Sequence, residues 1–217
     1  MITHLDKELD ELKQQLLTMA SHAETAVKLA VESLVTRNDT LALKVKENDA
    51  VIDRYEVAVD ELAIRLLAKA PLAGDLRSVT VAMKISQNLE RVGDEASKIA
   101  KRARDLNGEA PLKVNLDFAA MAKVVLEMLK ASLDAFVQRD PAAARVIVNR
   151  DKEVDSLNKQ ARRELEKLML ENPENILRAL HLMIATKSLE RIADHATNVA
   201  EEVVYLCEAQ DIRHAKA

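Results

Sequence analysis

Glycine and proline are nearly absent from this chain, with three and four copies among 217 residues. Hairpins need Gly, Asn-Gly or Asp-Gly at regular spacing, so a many-stranded sheet is excluded. The residues that dominate instead are Ala, Leu, Val, Lys and Glu, the strongest helix formers together with a core filler. The single cysteine, Cys207, excludes a disulfide framework and a cysteine zinc site. A net charge of −4 argues against a duplex nucleic-acid binder, which needs a basic face. The first residues, Met1 to Glu8, lack the apolar run of a signal peptide, and no uncharged stretch approaches the ~20 residues of a membrane span. The expectation is a cytoplasmic protein without membrane insertion.

The prolines punctuate the helical pattern. Pro71, Pro111, Pro141 and Pro173 mark ends or first turns, because proline lacks an amide donor and clashes with the preceding turn. Asp140-Pro141 reads as an N-cap followed by a first helical residue, Asn38-Asp39-Thr40 as a second cap, and Asp75 as a third. The breaks predict six helices near 4–36, 39–69, 74–106, 115–138, 141–171 and 174–208.

These segments repeat. A shift of 102 places Met19-Ala20 on Met121-Ala122, Arg37 on Arg139, Asp49 on Asp151, Asp53 on Asp155 and Pro71 on Pro173. A shift of 100 places Leu89-Glu90-Arg91-Val92-Gly93-Asp94 on Leu189-Glu190-Arg191-Ile192-Ala193-Asp194. The two-residue change falls in the turn before the third helix of each half, where insertions are tolerated. The predicted fold is therefore all-α: two tandem three-helix bundles, 1–108 and 109–217, related by a pseudo-twofold.

Apolar residues spaced alternately three and four apart define the inward faces. Ala82, Ile85, Leu89, Val92, Ala96, Ile99 and Ala103 form one seam, and Leu182, Ala185, Leu189, Ile192, Ala196, Val199, Val203 and Leu206 its repeat. A third runs through Leu41, Val45, Ile52, Tyr55, Val59, Leu62 and Leu66. Gly93 and Ala193 stand one position off the seam, where a small side chain admits a neighbouring helix.

The chemistry-bearing feature is four acid pairs at i,i+4 spacing: Asp49/Asp53, Glu90/Asp94, Asp151/Asp155 and Glu190/Asp194. Each pair shares a helix face, and the like charges repel by a few tenths of a kcal/mol. Pairs from adjacent helices would present four carboxylates to a hard or borderline cation such as iron, manganese, zinc or magnesium. All lie beside the apolar seams, which places them at the bundle surface. Singly, each pair also suits a solvated face, with Lys46, Arg54, Arg91, Lys98, Arg150 and Lys187 as counter-ions; recurrence in both halves sets them apart. His195 and Asn198 could supplement the last pair, with an ordinary surface histidine as the default reading, whereas His22 and His181 read as ordinary helix residues. No Glu-x-x-His pattern of a di-iron oxidase occurs.

Taken together, Pro71-x-x-x-Asp75-Leu76-Arg77 and the two Leu-Glu-Arg motifs, the second extended through Asp194-His195-Ala196-x-Asn198, resemble the PhoU family. The resemblance covers nearly the whole chain. It implies a non-enzymatic cytoplasmic regulator, often a homodimer, that restrains phosphate uptake and the phosphate-starvation response. Its implied partners are the ATPase subunit of a phosphate ABC transporter and a phosphate-sensing histidine kinase. It further implies multinuclear iron, zinc or manganese clusters, held by Asp49, Asp53, Glu90 and Asp94 in one bundle and Asp151, Asp155, Glu190 and Asp194 in the other. An accessory protein of another phosphate permease, or a metal-free helical scaffold, are the competing expectations.

Overall fold

The computed structural model describes residues 4–69, 72–114 and 116–213. Pro71, the N-terminal Met1–Thr3 and the expected fourth-helix start at Asn115 lie outside the described residues. Six helices carry the fold: α1 (His4–Thr36), α2 (Asp39–Leu67), α3 (Ala73–Asn107), α4 (Phe118–Gln138), α5 (Pro141–Glu171) and α6 (Ile176–Glu208). A 3-10 turn, Pro173–Asn175, leads into α6. Among the described residues no helix is long and apolar enough to cross a membrane.

Local chemistry sets the helix ends. Asn38 accepts a hydrogen bond from the Thr40 amide, Asp117 from Ala120, and Asp140 from Ala142 and Ala143, with Pro141 beginning α5 where its missing donor costs nothing. Asp75 is not the cap its sequence position suggested. The N-cap of α3 is Leu72, which makes no side-chain bond, and Asp75 lies in the first turn, where a negative charge favours the helix dipole instead. Arg37 and Arg139 take the same left-handed conformation at the ends of α1 and α4, with φ of 55° and 52°. The Arg37 guanidinium reaches across to donate to the carbonyls of Leu106 and Glu109, at 2.6 and 2.5 Å, and so ties the α1–α2 turn to the end of α3.

Helices α1, α2 and α3 pack mutually, as do α4, α5 and α6; α3 against α6 and α1 against α4 join the two bundles. The expected seams of α3 and α6 are buried throughout, and that of α2 is buried except at Leu41 and Tyr55, which are half-buried. Alanines at Ala23, Ala26, Ala30, Ala96, Ala100, Ala196 and Ala200 are all within the core, which permits close packing of long helices with few aromatic rings.

The α3–α6 contact is more polar than a bundle core. Glu95, 5 % exposed, receives Lys98 at 2.8 Å and Arg191 at 3.2 Å. Lys98 and Arg191, with the Ser188 hydroxyl, hold the Glu95 carboxyl below its ordinary value despite the desolvation that opposes them. Glu202, also 5 % exposed, receives Lys84 at 3.0 Å, and the Lys84 ammonium and Arg77 guanidinium both sit over the Tyr205 ring. His195 Nδ1 and Asn198 Nδ2 converge on the Asn88 side-chain oxygen at 3.0 and 3.1 Å, so both belong to this inter-bundle seam and do not supplement an acid pair. His22 and His181 are helix-to-helix contacts: His22 stacks on Tyr55 and meets Asn48 at 2.7 Å, and His181 meets Arg102 at 3.2 Å.

Two acidic clusters as the candidate functional site

Close approach of α2 and α3 builds the first cluster. A Cβ on Gly93 would stand 2.9 Å from Ile52 Cδ1 and 3.1 Å from Asp49 Oδ1, so the missing side chain is what lets Asp49 come in against α3. Asp49 is half-buried, as are Glu90 and Asp94, and Asp53 is exposed at the rim. Loss of solvation raises the Asp49 carboxyl above its ordinary value; the Ser97 hydroxyl holds it back, and the charges of Asp53 and Asp94 push it further up. Glu90 is likewise raised, first by desolvation and then by Asp94, while Arg91 opposes the shift. Arg91 contacts both members of its own pair, Glu90 at 3.2 Å and Asp94 at 3.1 Å.

The second cluster repeats this between α5 and α6. Asp151 is raised by desolvation, then by Asp155 and Glu190, and is held back by Thr197. Asp194 keeps a solvent-exposed edge, yet its carboxyl is pushed up to about 6 by desolvation first, then by Asp151 and Glu190, with Lys187 opposing and Asp155 adding. Lys187 pairs with Glu190, and Lys159 reaches Asp155 at 3.7 Å. All eight sequence-selected acids thus fall into two groups of four, one per bundle, at the surface.

Three features escaped the sequence reading. Ser97 and Thr197 are repeat-related and half-buried with their hydroxyl oxygens buried, and each lies near its cluster's Asp49 or Asp151 without closing a well-aligned hydrogen bond of its own. Glu56 joins the first cluster: it is raised by desolvation, then by Asp60 and Asp53. Its counterpart is Asn158, whose amide donates to Glu190 at 2.9 Å. The run Asp49, Asp53, Glu56, Asp60 steps by four, three and four, a helical stripe that could have revealed Glu56 from spacing alone. Of the expected counter-ions, Arg91 and Lys187 serve the clusters, Lys98 serves Glu95, and Arg150 turns away to Glu127 and Glu153.

Hard oxygen donors whose charges raise one another's proton affinity suit a multivalent cation. The side chains are nonetheless not closed into a cage: among the described residues no three His, Cys, Asp or Glu groups converge as ready ligands. A bound metal would therefore require Glu90 and Glu190 to leave Arg91, Asn158 and Lys187 and turn inward.

Fold and site together define an all-helical tandem-repeat protein with one surface acidic cluster in each repeat. The PhoU domain matches it twice, over residues 16–103 and 118–203. The chain belongs to the PhoU family. It is 43% identical over 97% of its length to a protein of Aquifex aeolicus called phosphate-specific transport system accessory protein PhoU homolog, covering 96% of that protein. It is 40% identical to the protein of the same name from Pseudomonas aeruginosa, over 95% of this chain and 86% of that one. Among solved structures it is similar to the crystal structure of PhoU from Pseudomonas aeruginosa, with a TM-score of 0.91, 39% identity, and coverage of 95% of this chain and 100% of that chain. The phosphate transport system regulatory protein PhoU from Streptococcus pneumoniae follows the same path, with a TM-score of 0.88 at 29% identity over 96% and 99% of the two chains.

Proposed function

We propose that the chain is a cytoplasmic adaptor that restrains phosphate uptake and the phosphate-starvation response. The observation that carries this reading is similarity through both repeats, over nearly the full length, to proteins named as accessory to the phosphate-specific transport system. On this reading the partners are the ATPase subunit of a phosphate ABC transporter and a phosphate-sensing histidine kinase, and the working form is a homodimer. Long, charged, solvent-facing helices suit docking, and no catalytic step is assigned to the chain.

The adaptor reading includes metal. Asp49, Asp53, Glu90 and Asp94 in the bundle of residues 1–108, and Asp151, Asp155, Glu190 and Asp194 in that of residues 109–217, would hold iron, zinc or manganese clusters. Glu56 would add a fifth carboxylate to the first. Metal supplies concentrated positive charge, which would relieve carboxylate repulsion and tie α2 to α3 and α5 to α6. The chain's own residues set the response: Ser97 and Thr197 present hydroxyls beside the innermost aspartates, and Arg91 and Lys187 compete with metal for the glutamates.

The test is deletion of the gene in its own organism, with a phosphate-starvation reporter read in phosphate-replete medium. Derepression that a plasmid copy reverses supports the reading. A reporter that stays repressed without the gene contradicts it.

A further inference from the structure

The α2–α3 groove beside the first acidic cluster differs from its α5–α6 counterpart in a way the acid pairs do not explain. It encloses a cavity of about 580 Å³ over the small side chains of Ala42 and Ala100, and Lys46, Lys101 and Arg104 line it. The neighbouring carboxylates are otherwise engaged. Asp39 accepts the Asn107 amide at 2.6 Å, Asp105 pairs with Arg102 at 3.1 Å and faces His181 at 3.7 Å, and Asp49 belongs to the acid cluster. Among the described residues, none of Lys46, Lys101 or Arg104 forms an ion pair, although seventeen such contacts occur elsewhere in the chain.

The second repeat keeps the small floor, with Ala144 and Ala200 buried, and replaces the cations by Val148, Glu201 and Val204. There Arg145 also bridges the two helices by paired bonds to Glu208, at 2.8 and 2.6 Å. The position equivalent to Arg145 is Leu43, and that equivalent to Glu208 is Gly108, so no ion pair spans the first groove there, and its end is joined instead by the Asn107–Asp39 hydrogen bond. One groove is bridged by its own ion pair, and the other presents unpaired cations around a cavity.

We infer that the α2–α3 groove binds a small soluble anion bearing two or more phosphate groups, held by Lys46, Lys101 and Arg104. Arg104 can meet phosphate oxygens through two parallel N–H bonds, and the lysines act as mobile point charges. Three separated cations and a cavity larger than a lone tetrahedral oxyanion fills favour an extended anion over a single phosphate. The site stands on these cations and does not require metal at the acids.

Calorimetric titration of pyrophosphate into the chelator-treated full-length protein tests this. The expected result is one saturable site per chain, weakened by at least about tenfold in Lys46→Ala/Lys101→Ala/Arg104→Ala, because the variant removes every charge-assisted bond the cations offer. Lys101→Glu alone should weaken it in the same direction. Lys123→Ala/Lys130→Ala, on α4 at the opposite groove, should leave it unchanged. Absence of saturable binding overturns the inference, as does unaltered affinity in the triple variant or equal weakening in the α4 control. Binding that appears only with added manganese and is lost in Asp49→Asn/Asp94→Asn would assign the anion to metal at the acids, also against this site.

Discussion

Gly93 of α3 faces Ile52 of α2 so closely that a Cβ on the glycine would lie 2.9 Å from Ile52 Cδ1. Ile52 is fully buried and has little room to move, and Asp49 stands at the same contact. Gly93→Val should therefore destabilise the protein by about 2 kcal/mol through overpacking, a fall in Tm of roughly 4–8 °C at this chain length. Gly93→Ala should cost less, because the helix propensity it gains, ~1 kcal/mol, offsets part of the crowding. Thermal denaturation of the two variants checks the order. In the second repeat Ala193 already supplies the Cβ, so Ala193→Gly should destabilise rather than relieve anything.

Carboxylates raised on folding give the metal-free protein an inverted acid response at the clusters. A group whose folded value lies above its unfolded one binds protons more tightly when folded, so its contribution grows as pH falls through the folded value. For Asp194, raised to about 6, the gain comes between about pH 7 and pH 4. Asp49, Glu56, Glu90 and Asp151 act in the same direction, while Glu95, held below its ordinary value, and His195, lowered by burial, act in the opposite one and are outnumbered. The chelated protein should melt higher at pH 5.5 than at pH 7.5. Asp194→Asn should raise the neutral-pH stability by about 1 kcal/mol, allowing for the screening of a partly exposed acid, and flatten the pH profile. Lower stability at pH 5.5 than at 7.5 in the chelated wild type would count against this.

Metal should replace acid as the source of relief. With manganese or zinc at a hundred times its dissociation constant, stabilisation should be about 2.7 kcal/mol, several degrees in Tm, and the Asp49/Asp53/Asp151/Asp155→Ala variant should lose both the shift and the bound metal. Elemental analysis of gently purified wild type and variant gives the stoichiometry directly. Equal metal content in the two proteins would remove these four aspartates from consideration.

The inter-bundle seam should be sensitive at Glu95. Truncation by Glu95→Ala removes an almost fully buried acceptor and leaves Arg191 and Ser188 without it, a loss of about 1–3 kcal/mol in urea denaturation. Lys98→Ala should cost under about 1 kcal/mol, because its ammonium is exposed and re-solvates freely.

Much of this architecture was legible in the residues. The scarcity of Gly and Pro forced helices, the three-four spacing of Ile85, Leu89 and Val92 located the core, and the shifts of 102 and 100 exposed the repeat. The acid pairs were legible because i,i+4 spacing fixes a shared helix face. The α3–α6 seam was not, since the pairing of Glu95 with Arg191 and of Lys84 with Glu202 depends on which bundle faces meet, and spacing within one helix carries no such information. His195 and Asn198 were misplaced for the same reason: they follow Asp194 in sequence but point to Asn88 of the other bundle. Asp75 was misassigned because the N-cap of α3 falls three residues earlier, at Leu72, and Asp75 is already inside the first turn.

As the proposed adaptor, the chain would link phosphate import to signalling, and binding to the two partners tests that most directly. The purified protein should be titrated by surface plasmon resonance against the ATPase subunit of its organism's phosphate ABC transporter and against the cytoplasmic part of its phosphate-sensing histidine kinase. Saturable binding to both is expected, with affinity that changes when the acidic clusters are chelated or replaced by alanine. Absence of binding to either partner, with and without manganese, by protein that melts cooperatively would contradict it.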